Sequence, residues 1–196
     1  MHGQTRDGHA APHVCPHQAA FILDNWIRRL VQPPRRILAP YMKQGDTAID
    51  LGCGPGFFTI AMANLVGSGG KVIAVDLQAA MLGRVLRKAE KKGLADRIVL
   101  HQCASDRIGL ELKADFILAY YMVHETPSPG AFLAEVKGLL KQEGRLLIVE
   151  PRMHVSRQDF EAQLEAAAAL GLDVVNRPGG KGGRSALLAL PRTATG

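Results

Sequence analysis

The 196-residue sequence predicts an open, doubly wound α/β sheet, mostly parallel, with seven strands and the last one antiparallel. Three observations predict it. From residue 47 onward, short Val-, Ile- and Leu-rich runs alternate with stretches at helical spacing. Those runs lack strict apolar–polar alternation, the mark of strands covered by helices on both faces. The chain closes on two such runs, LDVVNR and SALLALP, joined only by the glycine-rich, hairpin-like link RPGGKGGR. With no helix between them, the final strand must run against its neighbour.

Residues 1–18 are rich in His, Gly and Pro without periodicity and read as a flexible tail. Over 19–31, Ile22, Trp26, Ile27, Leu30 and Val31 recur at helical spacing. Pro33-Pro34 interrupts that helix and opens a short second one, RRILAPYM. Residues 19–45 are therefore a helical segment ahead of a domain spanning 46–196. Residues 47–51 form the first strand and 57–66 a helix. GSGGK is a turn and VIAVD (72–76) the second strand. A long helix over 78–92 ends near Gly93. RIVLHQ (97–102) and DFILAYY (115–121) are strands three and four, followed by a helix at 130–140. RLLIVE (145–150) is strand five, and a helix over 157–170 stops at Gly171. No internal repeat is evident.

Composition narrows the class. A hydrophobic share of 47% with 21% charged residues excludes a wholly disordered chain. No apolar run approaches the ~20 residues that cross a bilayer, and the first 18 residues lack the apolar centre of a secretory signal. Cys15, Cys53 and Cys103 are odd in number and widely spaced, which fits a reducing compartment. A cytoplasmic protein without a membrane partner is expected. The net charge of +6 is uneven: residues 1–98 carry 13 Lys and Arg against 7 Asp and Glu, the remainder 11 against 11. A basic half attracts polyanions, but Arg84, Arg87, Lys88, Lys91 and Lys92 recur as the wet face of one helix. Nucleic acid is a possible partner but not the favoured one.

The stretch TAIDLGCGPGFFTIAMA, residues 47–63, places Gly52, Gly54 and Gly56 between a strand and a helix. Ligands of open α/β sheets lie outside the carboxyl ends of the strands, where bare backbone admits close approach. Asp76 closes the second strand, 20 residues beyond Gly56, where a carboxylate accepts from a ribose diol. Nicotinamide and flavin nucleotides use the same device, so Asp76 alone separates nothing. The glycine spacing does. Dinucleotides want G-x-G-x-x-G, whereas this chain has G-x-G-x-G with Phe57 at the place of the third glycine. Asp50, just before the loop, suits a sulfonium and opposes a pyrophosphate. The ribose-bearing cation without phosphate that satisfies these conditions is S-adenosylmethionine.

At these residues the chain resembles the class I S-adenosylmethionine-dependent methyltransferases. The likeness is carried by AIDLGCGPG, by VIAVDL, and by LKQEGRLLIVEP, which is similar to the fifth-strand motif of that family. It covers roughly residues 40–190 and implies the Rossmann-like methyltransferase fold. It further implies that Asp50 and the loop 52–56 hold the methionine end, that Asp76 takes the ribose hydroxyls, and that Leu77 flanks the adenine. Ala119 would border the cofactor at the end of the fourth strand. The family often sets an acid against the adenine amine after strand three; here Cys103 stands there, so Ala104, Ser105 or Asp106 would hold the base.

The resemblance places the methyl acceptor beyond strand four, at AYYMVHETPSP (119–129). His124 is the leading candidate base, since an imidazole with a pKa of ~6.5 suits proton abstraction near neutrality. Tyr121 and Glu150 complete the candidate catalytic set. Tyr120 and Tyr121 alternate across the strand end, so one of them is expected to face the pocket. Each has a plainer role open to it: His124 shaping its loop, Tyr120 packing on the cofactor, Glu150 pairing with an Arg. The Asn/Asp-Pro-Pro-aromatic run of nucleobase amino methylation is missing after strand four. His13, Cys15 and His17 suit a soft metal or metalloid by chemistry but not by spacing, and no metal is assigned. Helix 19–31 would serve as a lid, as such segments often do in the family. The expected function is methyl transfer from S-adenosylmethionine to a small-molecule acceptor. The alternatives are an RNA or protein methyltransferase guided by the basic half, or a non-catalytic cofactor-binding protein.

Overall fold

The computed structural model describes residues 33–179 and 183–192. The expected tail at 1–18, the helix at 19–31 with its lid role, and the His13, Cys15 and His17 group lie outside the described residues. Seven strands form one sheet: β1 (Thr47–Leu51), β2 (Lys71–Asp76), β3 (Ile98–Gln102), β4 (Ala114–Tyr120), β5 (Leu140–Glu150), β6 (Asp173–Asn176) and β7 (Arg184–Ala189). Their order is β3-β2-β1-β4-β5-β7-β6. β1 to β5 pair in parallel and β7 is antiparallel to both its neighbours, as the helix-free closing link requires. The order reverses between β1 and β4, so the chain leaves those two strands in opposite directions and opens a crevice at their carboxyl ends.

Side-chain parity along the strands builds two cores. Ala48, Val72, Phe116, Leu118 and Leu147 face α1 (Pro34–Leu38) and α2 (Phe57–Val66), and Ala74 faces α3 (Ala79–Lys91). Ile49, Val75, Ile117, Leu146 and Ile148 face α4 (Pro129–Leu139) and α5 (Arg157–Ala169) on the opposite side. Leu38 and Met42 are buried with Phe116, on which Tyr41 stacks at 6.3 Å, so these side chains anchor residues 33–45 on the first core. A Ser156–Asp159 capping box starts α5, and Ser128 with Pro129 starts α4.

The fifth strand begins earlier than its apolar run. Ala114 pairs with Leu140 but Phe116 pairs with Arg145, so 141–144 bulge out of the ladder. Gly144 fits there because a Cβ would lie 2.8 Å from the Ala114 carbonyl oxygen. From the bulge, Lys141 reaches back to Asp115 at 2.7 Å. Arg87 and Lys91 on α3 and Lys92 just after it are exposed, while Lys88 donates to the Pro55 carbonyl at 2.8 Å and ties the helix to the glycine loop.

Candidate active site

The crevice above β1 and β4 opens into a cavity of about 870 Å³. Asp50, Gly52, Gly54, Asp76, Leu77, Cys103, Ala104, Ser105, Tyr121 and His124, all anticipated from the sequence, line it. Three anticipated residues do not. Gly56 serves packing: its Cβ would meet Val85 of α3 at 3.0 Å, so the absent side chain lets the helices close. Ala119 lies fully buried in the second core, because strand parity turns it toward α4 and α5 while Tyr120 takes the cavity side. Glu150 sits behind His124, fully buried at the end of β5.

One end of the cavity is built from β1 and β2. Gly54 has φ +51° with open space where a Cβ would sit, and the Cys53 amide anchors the loop on the Val75 carbonyl at 2.9 Å. Asp76 holds this loop as well as facing the cavity. One carboxylate oxygen accepts from the Gly54 amide at 2.8 Å, the other from the Gln78 amide at 2.9 Å. Burial pushes its carboxyl above the ordinary carboxylate range, and the two amides pull back. Asp50, 2% exposed, accepts from Thr59 at 2.5 Å, a helix α2 contact that no motif announced.

Burial, reinforced by Asp50 and Asp76, pushes the Cys53 thiol well up. Burial and then Asp76 do the same to Cys103. Burial of this kind favours the neutral thiol over the thiolate at both positions. Among the described residues no group of three or more His, Cys, Asp or Glu could hold a metal ion.

The other end of the cavity is built from β4 and β5. Tyr121 adopts φ +61°, the one non-glycine residue described in the left-handed region. That turn ends β4 and brings Tyr121 back beside Tyr120, ring centroids 4.4 Å apart, so both tyrosines line the cavity rather than one. His124 follows in a 3₁₀ turn, Val123–Glu125. Its Nδ1 lies 2.5 Å from Glu150 Oε2, and its backbone amide donates to Oε1 at 3.1 Å. The expected arginine partner of Glu150 is thus replaced by a histidine. The hydrogen bond from Glu150 raises the imidazole above its usual pKa, against the opposing effect of burial. The His154 ring stands 6.1 Å from that of His124 at the same rim.

These residues fit S-adenosylmethionine. A bare backbone stretch, a hydrogen-bonded carboxylate with spare lone pairs, and acidic walls at Asp50 and Glu125 suit a cationic nucleoside. The cavity volume is within the ~300–1,000 Å³ of small-molecule sites. A cofactor pocket of this kind at the switch point of such a sheet defines the class I methyltransferase architecture.

Comparison with known proteins agrees. The profile of a methyltransferase-domain family matches residues 42–177, and the chain belongs to that family. The crystal structure of a SAM-dependent methyltransferase from Aquifex aeolicus superposes with a TM-score of 0.77 at 26% identity, covering 88% of this chain and 97% of that one. A Pyrobaculum calidifontis protein named "Probable cobalt-precorrin-6B C(15)-methyltransferase (decarboxylating)" is 32% identical over 67% of this chain and 64% of its own length. The demethylmenaquinone methyltransferase of Lactobacillus johnsonii is 33% identical over 56% of this chain and 45% of its own length. The chain thus spans less than two thirds of the length of these curated relatives. The cofactor is S-adenosylmethionine.

Proposed function

We propose that this protein transfers a methyl group from S-adenosylmethionine to a small-molecule acceptor carrying an ionisable hydroxyl or an acidic C–H, with His124 as the base. The domain responsible is assigned to residues 46–196. The observation that carries the reading is the His124–Glu150 pair at the cavity wall. Glu150 accepts from Nδ1, which leaves Nε2 as the proton-accepting nitrogen of the neutral ring. The second Glu150 oxygen fixes the His124 backbone, so ring and chain are oriented by one buried carboxylate. Bound S-adenosylmethionine supplies a methyl group already activated by a sulfonium. The remaining work falls to the protein: Asp76 and the glycine loop hold the nucleoside, the aromatic wall excludes water, and His124 removes the acceptor proton. Glu150 orients His124 and touches no acceptor. Relatives named for cobalt-precorrin and demethylmenaquinone support the small-molecule class.

Incubating cell extract with methyl-labelled S-adenosylmethionine and the purified protein tests this. Label should enter the small-molecule fraction with wild type and not with His124→Ala. Label confined to RNA or protein, or equal transfer by the variant, would overturn the proposal.

A further inference from the structure

Parallel strands are joined by crossovers that usually carry a helix. Between β3 and β4 this chain has an irregular segment instead, residues 103–113, lying on the same face of the sheet as α4 and α5. Ile108 is 5% exposed and packs in the second core with Val75 and Val136. Irregular backbone laid on a sheet must find partners for its own amides and carbonyls. Two side chains from outside the segment supply them. Glu135 on α4 accepts from the Ile108 amide at 2.9 Å and from the Gly109 amide at 3.3 Å. The ring of His101 on β3 donates through Nε2 to the Ile108 carbonyl at 2.7 Å. Within the segment, the Ala104 amide closes on the Arg107 carbonyl at 3.1 Å. The segment starts beside the ribose carboxylate, since the Cys103 amide donates to the Asp76 carbonyl at 3.2 Å. Cys103 through Ile108 all line the cavity, and so does Glu135.

We propose that Glu135 and His101 are positioning residues of the cofactor site, gripping the two polar groups of Ile108 so that residues 103–108 stand as a ready-made wall for the adenine. This rests on the reading of the cavity as an S-adenosylmethionine site. A wall lacking its own helical bonds must otherwise be ordered at the moment of binding, and that ordering subtracts from affinity. The role is one of geometry, not of charge, so an uncharged oxygen in the same place should serve.

Calorimetric titration with S-adenosylhomocysteine tests it on wild type, Glu135→Ala, Glu135→Gln and His101→Leu. The alanine and leucine variants should each bind about tenfold more weakly, the upper end of what an ordinary hydrogen bond contributes. Glu135→Gln keeps an accepting oxygen and should recover to within about twofold of wild type. Hydrogen exchange should show residues 104–109 opening in Glu135→Ala while α4 and the strands keep their protection. Equal affinity in wild type and Glu135→Ala, or a glutamine variant as weak as the alanine one, overturns the proposal. Should the substituted proteins not fold, wild type decides: rapid exchange at the Ile108 and Gly109 amides overturns it, and protection on the level of α4 upholds it. Wild type that ignores S-adenosylhomocysteine strikes at the cofactor site itself, a different result from variants that bind as well as wild type.

Discussion

Replacing Asp76 by Asn is the sharpest probe of the nucleotide end. The side chain keeps its shape, but one accepting oxygen becomes an NH₂ group. Oxygens at 2.8 Å and 2.9 Å from the Gly54 and Gln78 amides flank the site, so either orientation of the amide sets a donor against a donor. The variant loses either the Gly54 or the Gln78 contact, together with one acceptor for the ribose diol. A hydrogen bond to a charged group contributes roughly 1.5–3 kcal/mol, which converts to a roughly 10- to 150-fold rise in Kd. Titration calorimetry with S-adenosylmethionine near neutral pH reads it directly. Because burial raises the Asp76 carboxyl, wild-type affinity should also begin to fade at a higher pH than an ordinary carboxylate allows, and the Asn variant should not share that limb. An unchanged Kd, or a loss of melting temperature without a loss of affinity, would refute the assignment of Asp76 to the ribose.

His124→Ala should cut turnover by about 10²–10⁴-fold, the usual worth of a general base, while cofactor affinity measured by calorimetry stays near wild type. Glu150→Gln should lower the His124 pKa, so the acidic limb of the kcat/KM profile moves to lower pH. For the same pair, the stabilisation is complete below the unfolded-state value of ~6.5 and is lost as pH rises through the raised folded value. The melting-temperature gap between wild type and Glu150→Gln should therefore narrow over that interval. Thr59→Val removes a buried donor to Asp50 and should cost about 1–3 kcal/mol in denaturant unfolding. Gly183→Ala would push a Cβ into the Glu150 carbonyl oxygen and to 3.2 Å from the Tyr121 ring. It should destabilise by about 1–3 kcal/mol and lower turnover as well, since the clash falls on both acceptor-side residues.

The strands were legible because burial on both faces leaves unbroken apolar runs, and the gathering of Gly52, Gly54 and Asp76 at one cavity because they follow the ends of neighbouring strands. The opening of β5 was not. KQEG carries no apolar signal, and only the pairing of Ala114 with Leu140 shows that the ladder begins before the bulge. Nor does anything local join His124 to Glu150: they are 26 residues apart and meet because β4 and β5 lie side by side. Tyr121 misled simple alternation, since nothing in its residue type announces a left-handed backbone. Ala119 lies away from the cavity for the opposite reason, because alternation does hold up to Tyr120 and sends Ala119 to the other face. Glu135 carries no motif at all; its role exists only where the crossover lacks a helix.

The division of labour among strand ends has a consequence for how such a protein changes over generations. On the proposed reading β1 and β2 present the nucleoside and β4 and β5 the acceptor, and the two pairs send their chains to different sides of the switch point. Substitutions in 121–128 and 151–154 can reshape the guest chamber while the methyl-donor berth keeps its form. A lineage could exchange one acceptor for another by rewriting two short loops, without re-inventing the rest of the machine.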